Sequence, residues 1–365
     1  MNLKKNELIK YDNSKRKPLD NKELVSKENI HIKTEIISKY VYFSLKTTII
    51  LLIIAHISCE SYIILKINKK GIYNVLYKEE YFNAEGHSCE SISMHTPDLI
   101  TINDILLESP YNGEVELTKE ENNIKLYYPE TKKSFKCMFY ECSDTDEIDT
   151  SYLNISSATE IDLMFYGCYN IKYLNISNMN TEKLKSMRFI FGFCYSLTSL
   201  DVSNFKTPLL EDMARSFEGC SNLTSIYLLN FDTSNVKQMD SLFRNMTSLK
   251  SVNISNFNTS KVQWMANMFQ ECISLTSLDL SNFDTSSVIY FYKMFTSCKS
   301  LTYLNLSNFN TKKAKNMYGM FDDCNNLKYL YIQSFDTSKV TRMNHMFNKC
   351  YSLVSLDITN FNTQK

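Results

Sequence analysis

Apolar and polar residues alternate with two different periods inside a unit of 26 residues. In the stretch LTSLDLSNF (residues 275–283), leucines alternate with polar residues as in a strand that buries one face. In DTSNVKQMDSLFRNM (residues 232–246), apolar residues recur at steps of three and four, which is typical of one face of a helix: Val236, Met239, Leu242, Phe243 and Met246. Thr233 or Ser234 would cap this helix. The pattern therefore predicts one strand and one short helix per unit.

The unit recurs nine times without insertion or deletion. Phe243 with Met246 marks one copy, and in the eight others Phe is followed three residues later by Cys: Phe139/Cys142, Phe165/Cys168, Phe191/Cys194, Phe217/Cys220, Phe269/Cys272, Phe295/Cys298, Phe321/Cys324 and Phe347/Cys350. One unit alone buries too few apolar side chains to offset the entropy of ordering its backbone. We therefore expect an α/β solenoid in which the units stack, with a parallel sheet and one short helix per turn.

Several strand stretches carry a resemblance to a known family. They read LTSLDLSNF, LKSVNISNF, LTYLNLSNF and LVSLDITNF, and the units continue with Thr or Ser and then MFxxC. This pattern resembles the BspA-like leucine-rich-repeat surface proteins, in the subtype with 26-residue units, over Met138–Lys365. The resemblance implies a leucine-rich-repeat horseshoe, displayed on a surface and used for attachment or recognition rather than catalysis. It also implies a column of Asn side chains that bind turn backbone: Asn178, Asn204, Asn230, Asn256, Asn282, Asn308 and Asn360.

The outward-facing strand positions are the candidate ligand site. Solenoids usually bind partners through a concave face, and Tyr, Ser, Asn and Asp dominate these positions. Tyrosines supply rigid aromatic anchors and the polar residues supply hydrogen bonds, so we expect Tyr303, Tyr329 and Tyr331 to converge. The predicted ligand-binding residues of the concave face are Tyr227, Asn253, Asp279, Tyr303, Asn305, Tyr329 and Tyr331. The alternative is a merely solvated sheet face.

The column of Cys residues predicts neither a metal site nor a series of disulfides. It contains no CxxC motif and no paired His, and Met246 takes one of its places without disturbing the register. We interpret these thiols as small buried hydrophobic groups. Outside the column, Cys89 would form one disulfide with either Cys137 or Cys142 if the domain is extracellular.

Charge and motifs argue against several classes of protein. Lys plus Arg and Asp plus Glu each number 40, which gives no overall bias toward nucleic acid. The sequence has no GxGxxG, P-loop or HExxH motif, and the acidic run SDTDEIDT lacks the Gly and the terminal Glu of an EF-hand loop. We therefore expect no enzyme activity, no cofactor, no metal site and no nucleic-acid partner.

The chain before the repeats divides into three segments. Residues 1–39 are basic and poor in large apolar side chains, which predicts a disordered cytoplasmic tail. Residues 40–66 hold an apolar run that predicts one transmembrane helix, and the basic residues before it place the repeats outside the cell. An uncleaved signal anchor is favoured over a cleaved signal peptide or a soluble core helix. Residues 67–137 predict a linker and a capping hairpin, EVELTKEENNIKLYY, before the solenoid of residues 138–365.

These features predict a single-pass protein of the cell membrane with extracellular repeats. The repeats would act in adhesion, or would recognise a protein or glycan ligand on another cell or matrix. The main alternative is a structural surface-coat component, because the last unit stops at NFNTQK and leaves an apolar end open to end-to-end self-association. An intracellular repeat scaffold for protein–protein interaction is the third hypothesis, which the unpaired Cys column favours.

Overall fold

Short strands and turns build the part of the chain that a computed structural model describes. That part comprises residues 61–76, 81–82, 88–89, 97, 99–107, 114–128 and 133–362, and it lies within one structural unit, Glu60–Lys365. Its strands are β1 (Tyr62–Ile67), β2 (Gly71–Asn74), β3 (Tyr81–Phe82), β4 (Ser88–Cys89), β5 (Leu99–Ile102), β6 (Ile105–Leu106), β7 (Glu114–Leu117), β8 (Asn122–Tyr127), β9 (Glu147–Asp149), β10 (Tyr173–Asn175), β11 (Tyr303–Asn305) and β12 (Tyr329–Tyr331).

A mixed sheet joins the N-terminal segment to the first repeats. Its strand order is β10-β9-β1-β8-β5-β6. Strand β1 lies between β8 and β9 and is antiparallel to both, whereas β9 and β10 run parallel. Ile63, Leu65 and Ile67 are fully buried, because alternate side chains of a strand share one face. The edge of the first repeat strand, β9, is therefore paired with β1.

The strands of the predicted capping hairpin form, but they pair with other strands. Strands β7 and β8 occupy its two arms, yet β7 pairs with β2, and β8 pairs with β1 and β5. The buried Asn122 side chain fixes the connection, since its Nδ2 donates to the carbonyls of Lys119 at 2.7 Å and Lys69 at 3.1 Å. The two strands thus belong to two different sheets and do not pair as a hairpin.

The prediction of a transmembrane helix is wrong for the residues that the structure describes. Residues 62–66 of the predicted segment 40–66 belong to strand β1, whereas residues 40–60 and the predicted tail 1–39 lie outside the described residues. Within the described part of the chain, no helix has the length and apolar character to cross a membrane. In this strand, YIILKI alternates half-buried and buried positions, which is the period of a strand.

The predicted helix in each unit is also wrong, because that half of the unit begins with a parallel strand ladder. One residue of each unit forms a parallel β-bridge with the equivalent residue 26 positions later: Ser134, Glu160, Ser186, Asp212, Gln238, Trp264, Tyr290, Asn316 and Arg342. On either side of Gln238, the N–H of Lys237 donates to the backbone carbonyl of Glu211 at 2.8 Å, and the N–H of Met239 donates to the backbone carbonyl of Trp264 at 3.0 Å. We call this column the second ladder, and β9–β12 with their equivalents the first ladder.

A ribbon of overlapping turns follows the second ladder. In residues 239–246, three N–H groups donate to carbonyls three residues back at 3.1–3.4 Å: those of Leu242, Arg244 and Met246. The alternate N–H groups donate to the next unit at 2.8–3.0 Å: those of Ser241, Phe243 and Asn245. The apolar side chains still enter the core at steps of three and four. No helix forms in this stretch, because the amides bond across units instead of along the chain to residue i−4.

Each ribbon contains left-handed backbone, which side chains with a Cβ adopt at a cost. Ser241 has φ 54° and Asn245 has φ 58°, and their N–H groups both bond to the next unit. Gly219 occupies an equivalent position with φ 75°, where an added Cβ would lie 2.5 Å from Cδ1 of Phe193. A side chain at this position would require the Phe193 ring to move, whereas Asn245 adopts the same left-handed backbone with a Cβ.

Stacked aromatic rings fill the core between the two ladders. The nine Phe residues of the repeat register, from Phe139 to Phe347, stack with ring centroids 5.4–6.1 Å apart. A second column includes Phe205 and Phe231, whose centroids are 5.7 Å apart. Both columns consist of aromatic pairs in a favourable stacked geometry, so the core is continuous along the stack.

Two polar columns fasten each unit to its neighbour. Thr233 was predicted as a helix cap, but it is buried, and its Oγ1 donates to the Asn258 carbonyl at 3.0 Å and accepts the Asn258 N–H at 2.8 Å. The Asn column binds turn backbone as its resemblance implied: Asn256 Nδ2 donates to the carbonyls of Leu228 at 3.2 Å and Phe231 at 3.0 Å. These side-chain bonds satisfy backbone N–H and carbonyl groups that have no partner within a helix.

Candidate functional site

Three tyrosines meet on the first ladder and form what we call the tyrosine patch: Tyr303, Tyr329 and Tyr331. Parallel pairing places Tyr303 beside Tyr329, and Asn305 beside Tyr331. The rings of Tyr303 and Tyr331 have centroids 5.6 Å apart and are inclined at 52°. The exposed fractions are 50% for Tyr303, 47% for Tyr329 and 39% for Tyr331. The patch therefore presents aromatic surface and hydroxyl groups together, the combination that recognition surfaces use.

A shallow depression of about 350 Å³ adjoins the tyrosine patch. Three of the predicted ligand-binding residues line it together with small side chains: Asn253, Asp279 and Tyr303, with Ser251, Val252, Thr276, Ser277 and Leu278. Tyr227 pairs with Asn253 on the same ladder and is 70% exposed, but it does not line the depression. The structure thus places Asn253, Asp279 and Tyr303 around one depression, with Tyr227 adjacent to it through its pairing with Asn253.

The Asn and Asp residues of this face also cap turns. The Oδ1 atoms of Asn253, Asp279 and Asn305 accept the N–H group two residues later, at 3.2, 2.9 and 3.0 Å. Such Asx turns fix the chain where it leaves a strand. The N–H of Ser281 lowers the pKa of the Asp279 carboxyl, so this side chain is charged at neutral pH. These residues give the depression polarity and negative charge while they hold its edge in place.

The Cys column donates hydrogen bonds inside the core. Seven thiols donate to the carbonyl of the column Phe in the preceding unit at 3.0–3.2 Å: Cys168, Cys194, Cys220, Cys272, Cys298, Cys324 and Cys350. Burial raises the pKa of the Cys220 thiol to about 12, which keeps it protonated as a donor. The predicted burial is confirmed for all of the column except Cys350, which is half-buried, but the hydrogen bonds were not foreseen. Over residues 61–362, so far as they are described, no three His, Cys, Asp or Glu side chains are grouped to hold a metal ion.

A disulfide joins Cys89 to Cys137, across 48 residues of chain. It is one of the two pairings that the sequence left open, and Cys142 is free and buried. Around the disulfide packs a small apolar cluster that includes Tyr140 and Phe189. The N-terminal segment is therefore bonded covalently to the first repeat.

A buried ionic network on the second ladder was missed by the sequence analysis. Nη1 of Arg188 lies 3.1 Å from Oδ2 of Asp212 and 3.0 Å from Oε1 of Gln238. Two further ion pairs extend the network, Arg215 with Asp240 at 3.6 Å and Arg244 with Glu218 at 3.1 Å. The signal was present in the sequence, because Asp212 and Gln238 occupy the same register position 26 residues apart. It was hidden because that position was assigned to a helix surface.

Asp212 makes stability depend on pH. Burial raises the pKa of its carboxyl from 3.8 to about 6, against the opposing effects of Arg188 and of the Ala214 N–H. Between these values the folded chain holds a proton that the unfolded chain has lost, so stability falls as pH rises through this window. We expect the free energy of unfolding to be about 1 kcal/mol higher at pH 5 than at pH 7 from this group.

Urea unfolding of the wild type and of Asp212→Asn at the two pH values measures this effect. The Asn variant keeps an oxygen for the Ala214 N–H but has no proton to lose. The wild type should gain about 1 kcal/mol over the variant when the pH is lowered. An identical response of both proteins would contradict the raised pKa.

Comparison with known families finds one match. The family model described as "Mycoplasma protein of unknown function, DUF285" matches residues 133–227, 211–328 and 293–365. These matches follow one another through the repeats and cover more than half of the chain. No curated protein matches the sequence.

Proposed function

Since the chain belongs to the DUF285 family, a family of repeat proteins without an assigned activity, we propose that its repeats form an extracellular recognition module for adhesion. The tyrosine patch and the adjoining depression would bind a protein or glycan ligand on another cell or matrix. The observation that carries this proposal is the grouping of three half-exposed tyrosines beside a depression of about 350 Å³. The role is binding rather than catalysis.

The disulfide supports an extracellular location. Disulfides persist in oxidising compartments and are rare in the cytosol, and Cys89–Cys137 ties two distant parts of the chain. The free thiols of the Cys column are compatible with this location, because those of Cys168 to Cys324 are buried and burial raises the pKa of each thiol. They do not favour an intracellular scaffold once their burial is known.

The finer relation to BspA-like leucine-rich-repeat surface proteins is part of this proposal. The 26-residue register and the Asn column that binds turn backbone support it. The relation concerns the repeat and its use in attachment, and it does not require a helix in each unit.

Removal of the tyrosine patch is expected to weaken ligand binding at least tenfold. The double variant Tyr303→Ala with Tyr329→Ala deletes two aromatic anchors that are half exposed. Truncation of an anchor of this kind costs about 2 kcal/mol or more of binding free energy. Binding of the labelled full chain to a glycan array and to cultured cells measures the loss. Tyr351→Ala is the matched control, because Tyr351 is 77% exposed and lies off the patch. Equal binding by both variants would exclude the patch as the recognition site.

The location is tested by protease treatment of intact cells that carry the chain with a C-terminal epitope tag. Loss of the tag from intact cells is expected if the repeats are outside. Protection of the tag until lysis would overturn the extracellular proposal and favour an intracellular scaffold. The coat alternative instead requires a solution mass that rises with protein concentration.

A further inference from the structure

A second depression, of about 540 Å³, lies on the second ladder. Five residues line it: Tyr292, Asn316, Tyr318, Arg342 and Asn344. Each of them follows a residue of the first ladder by about half a unit, and none of them lines the depression beside Tyr303. Its volume falls within the range of small-molecule sites.

Hydrogen-bond donors converge on this depression. Oδ1 of Asn316 accepts the N–H of Tyr318 at 2.9 Å, which fixes the amide and leaves its Nδ2 as a donor. Arg342 is exposed, and among the described residues no carboxylate lies within ion-pair distance of its guanidinium. The side chain of Asn344 is exposed as well. A ligand here would meet amide N–H groups and one uncompensated cation.

Two neighbouring side chains pack against the aromatic wall, Tyr318. Nζ of Lys293 lies 5.8 Å from the centre of the Tyr318 ring, and the His345 ring packs edge-on against Tyr318 with centroids 5.5 Å apart. None of the five lining residues is acidic. The depression beside Tyr303, in contrast, contains the charged carboxylate of Asp279. The two depressions therefore differ in the charge of their lining residues.

We propose that the depression on the second ladder binds a saccharide that carries a carboxylate. Arg342 would pair with the carboxylate, which suits the planar geometry of a guanidinium. The ring of Tyr318 would pack against the apolar face of the sugar ring, and Asn316 and Asn344 would bond to its hydroxyls. This site is separate from the tyrosine patch and goes beyond the adhesion function.

Methyl β-glucuronide and methyl β-glucoside test the assignment, because they differ only in a carboxylate against a hydroxymethyl group. Binding to the full chain is measured by saturation-transfer NMR titration. The glucuronide should bind about tenfold or more tightly than the glucoside, as a charge-assisted hydrogen bond predicts. In Arg342→Gln this preference should disappear, and in Tyr318→Ala both sugars should lose affinity.

The controls separate this site from the rest of the molecule. Lys328→Gln removes an exposed cation beside Tyr329 and should keep the preference. Unfolding curves establish that each variant is folded, and since Arg342 is exposed its variant decides the matter if Tyr318→Ala does not fold. Equal affinity for the two sugars, or no binding of the glucuronide up to about 10 mM, would overturn the proposal. Competition by acetate as strong as that by the glucuronide would show that no sugar is recognised.

Discussion

Replacement of Phe243 by Ala is expected to lower the free energy of unfolding by about 3–5 kcal/mol. The ring is fully buried and stacks on both sides, with centroids 6.1 Å from Phe217 and 5.4 Å from Phe269. Removal of the ring leaves a cavity that the neighbours cannot fill, because the turn ribbons hold the units at a fixed spacing. Urea unfolding followed by circular dichroism measures the loss.

Phe347→Ala is the matched control within the same column. Phe347 stacks on Phe321 at 5.7 Å but is only partly buried in the last unit. Its replacement should cost clearly less than that of Phe243, since partly exposed rings lose less on truncation. Equal losses at the two positions would mean that stacking from both sides does not set the stability of the column.

Replacement of Arg188 by Met is expected to cost about 3–5 kcal/mol at pH 8. The Arg188 side chain is 13% exposed, and its guanidinium forms an ion pair with the side chain of Asp212, which is 17% exposed. Without Arg188 the carboxylate stays buried with no cation beside it at 3.1 Å. The loss should shrink at pH 5, because Asp212, whose pKa burial already raises to about 6, would then be neutral.

The double variant Arg188→Met with Asp212→Asn separates the charge from the packing. It removes both charges and keeps an acceptor for the Ala214 N–H. Most of the stability lost in Arg188→Met should return, since an uncompensated buried charge costs more than the loss of a whole pair. Urea unfolding of the single and double variants at pH 8 gives the comparison. A double variant as unstable as Arg188→Met would show that the lost packing of the arginine stem dominates.

The register and the burial of the repeats follow from the sequence, because a strict period places like residues at like depth. The Phe column, the Cys column and the convergence of Tyr303 with Tyr331 all rest on that period. The Asx turns at Asn253 and Asp279 also have a local cause, since a short polar side chain bonds the backbone two residues on.

The helix prediction failed for a physical reason. Met239, Leu242 and Phe243 show helical spacing, but a ribbon of turns with left-handed residues produces the same spacing of inward side chains. The left-handed positions carry residues such as Leu163 and Arg215, which give no glycine signal in the sequence. Bonds between units compensate for the backbone strain, and such bonds are invisible to a pattern within one unit.

The features that depend on contacts between distant elements were the least predictable. The choice of Cys137 over Cys142 depends on where β4 meets the first ribbon. The network of Arg188 and the depression at Arg342 both lie on the second ladder, which the helix assignment concealed. Once that ladder is known, the register position shared by Asp212, Gln238, Asn316 and Arg342 identifies both the ionic network and the depression.

The bonds from each unit to its neighbour also bear on how such a chain changes over generations. Because the Thr233 bridge and the Asn256 contacts join equivalent positions of successive units, loss or duplication of one whole unit of coding sequence keeps the reading frame and restores the same junction. Recombination between repeats can therefore alter the length of the array, and the order of residues along either ladder, without a new fold. The exposed residues of either ladder are therefore open to variation by shuffling, while the interior stays constant.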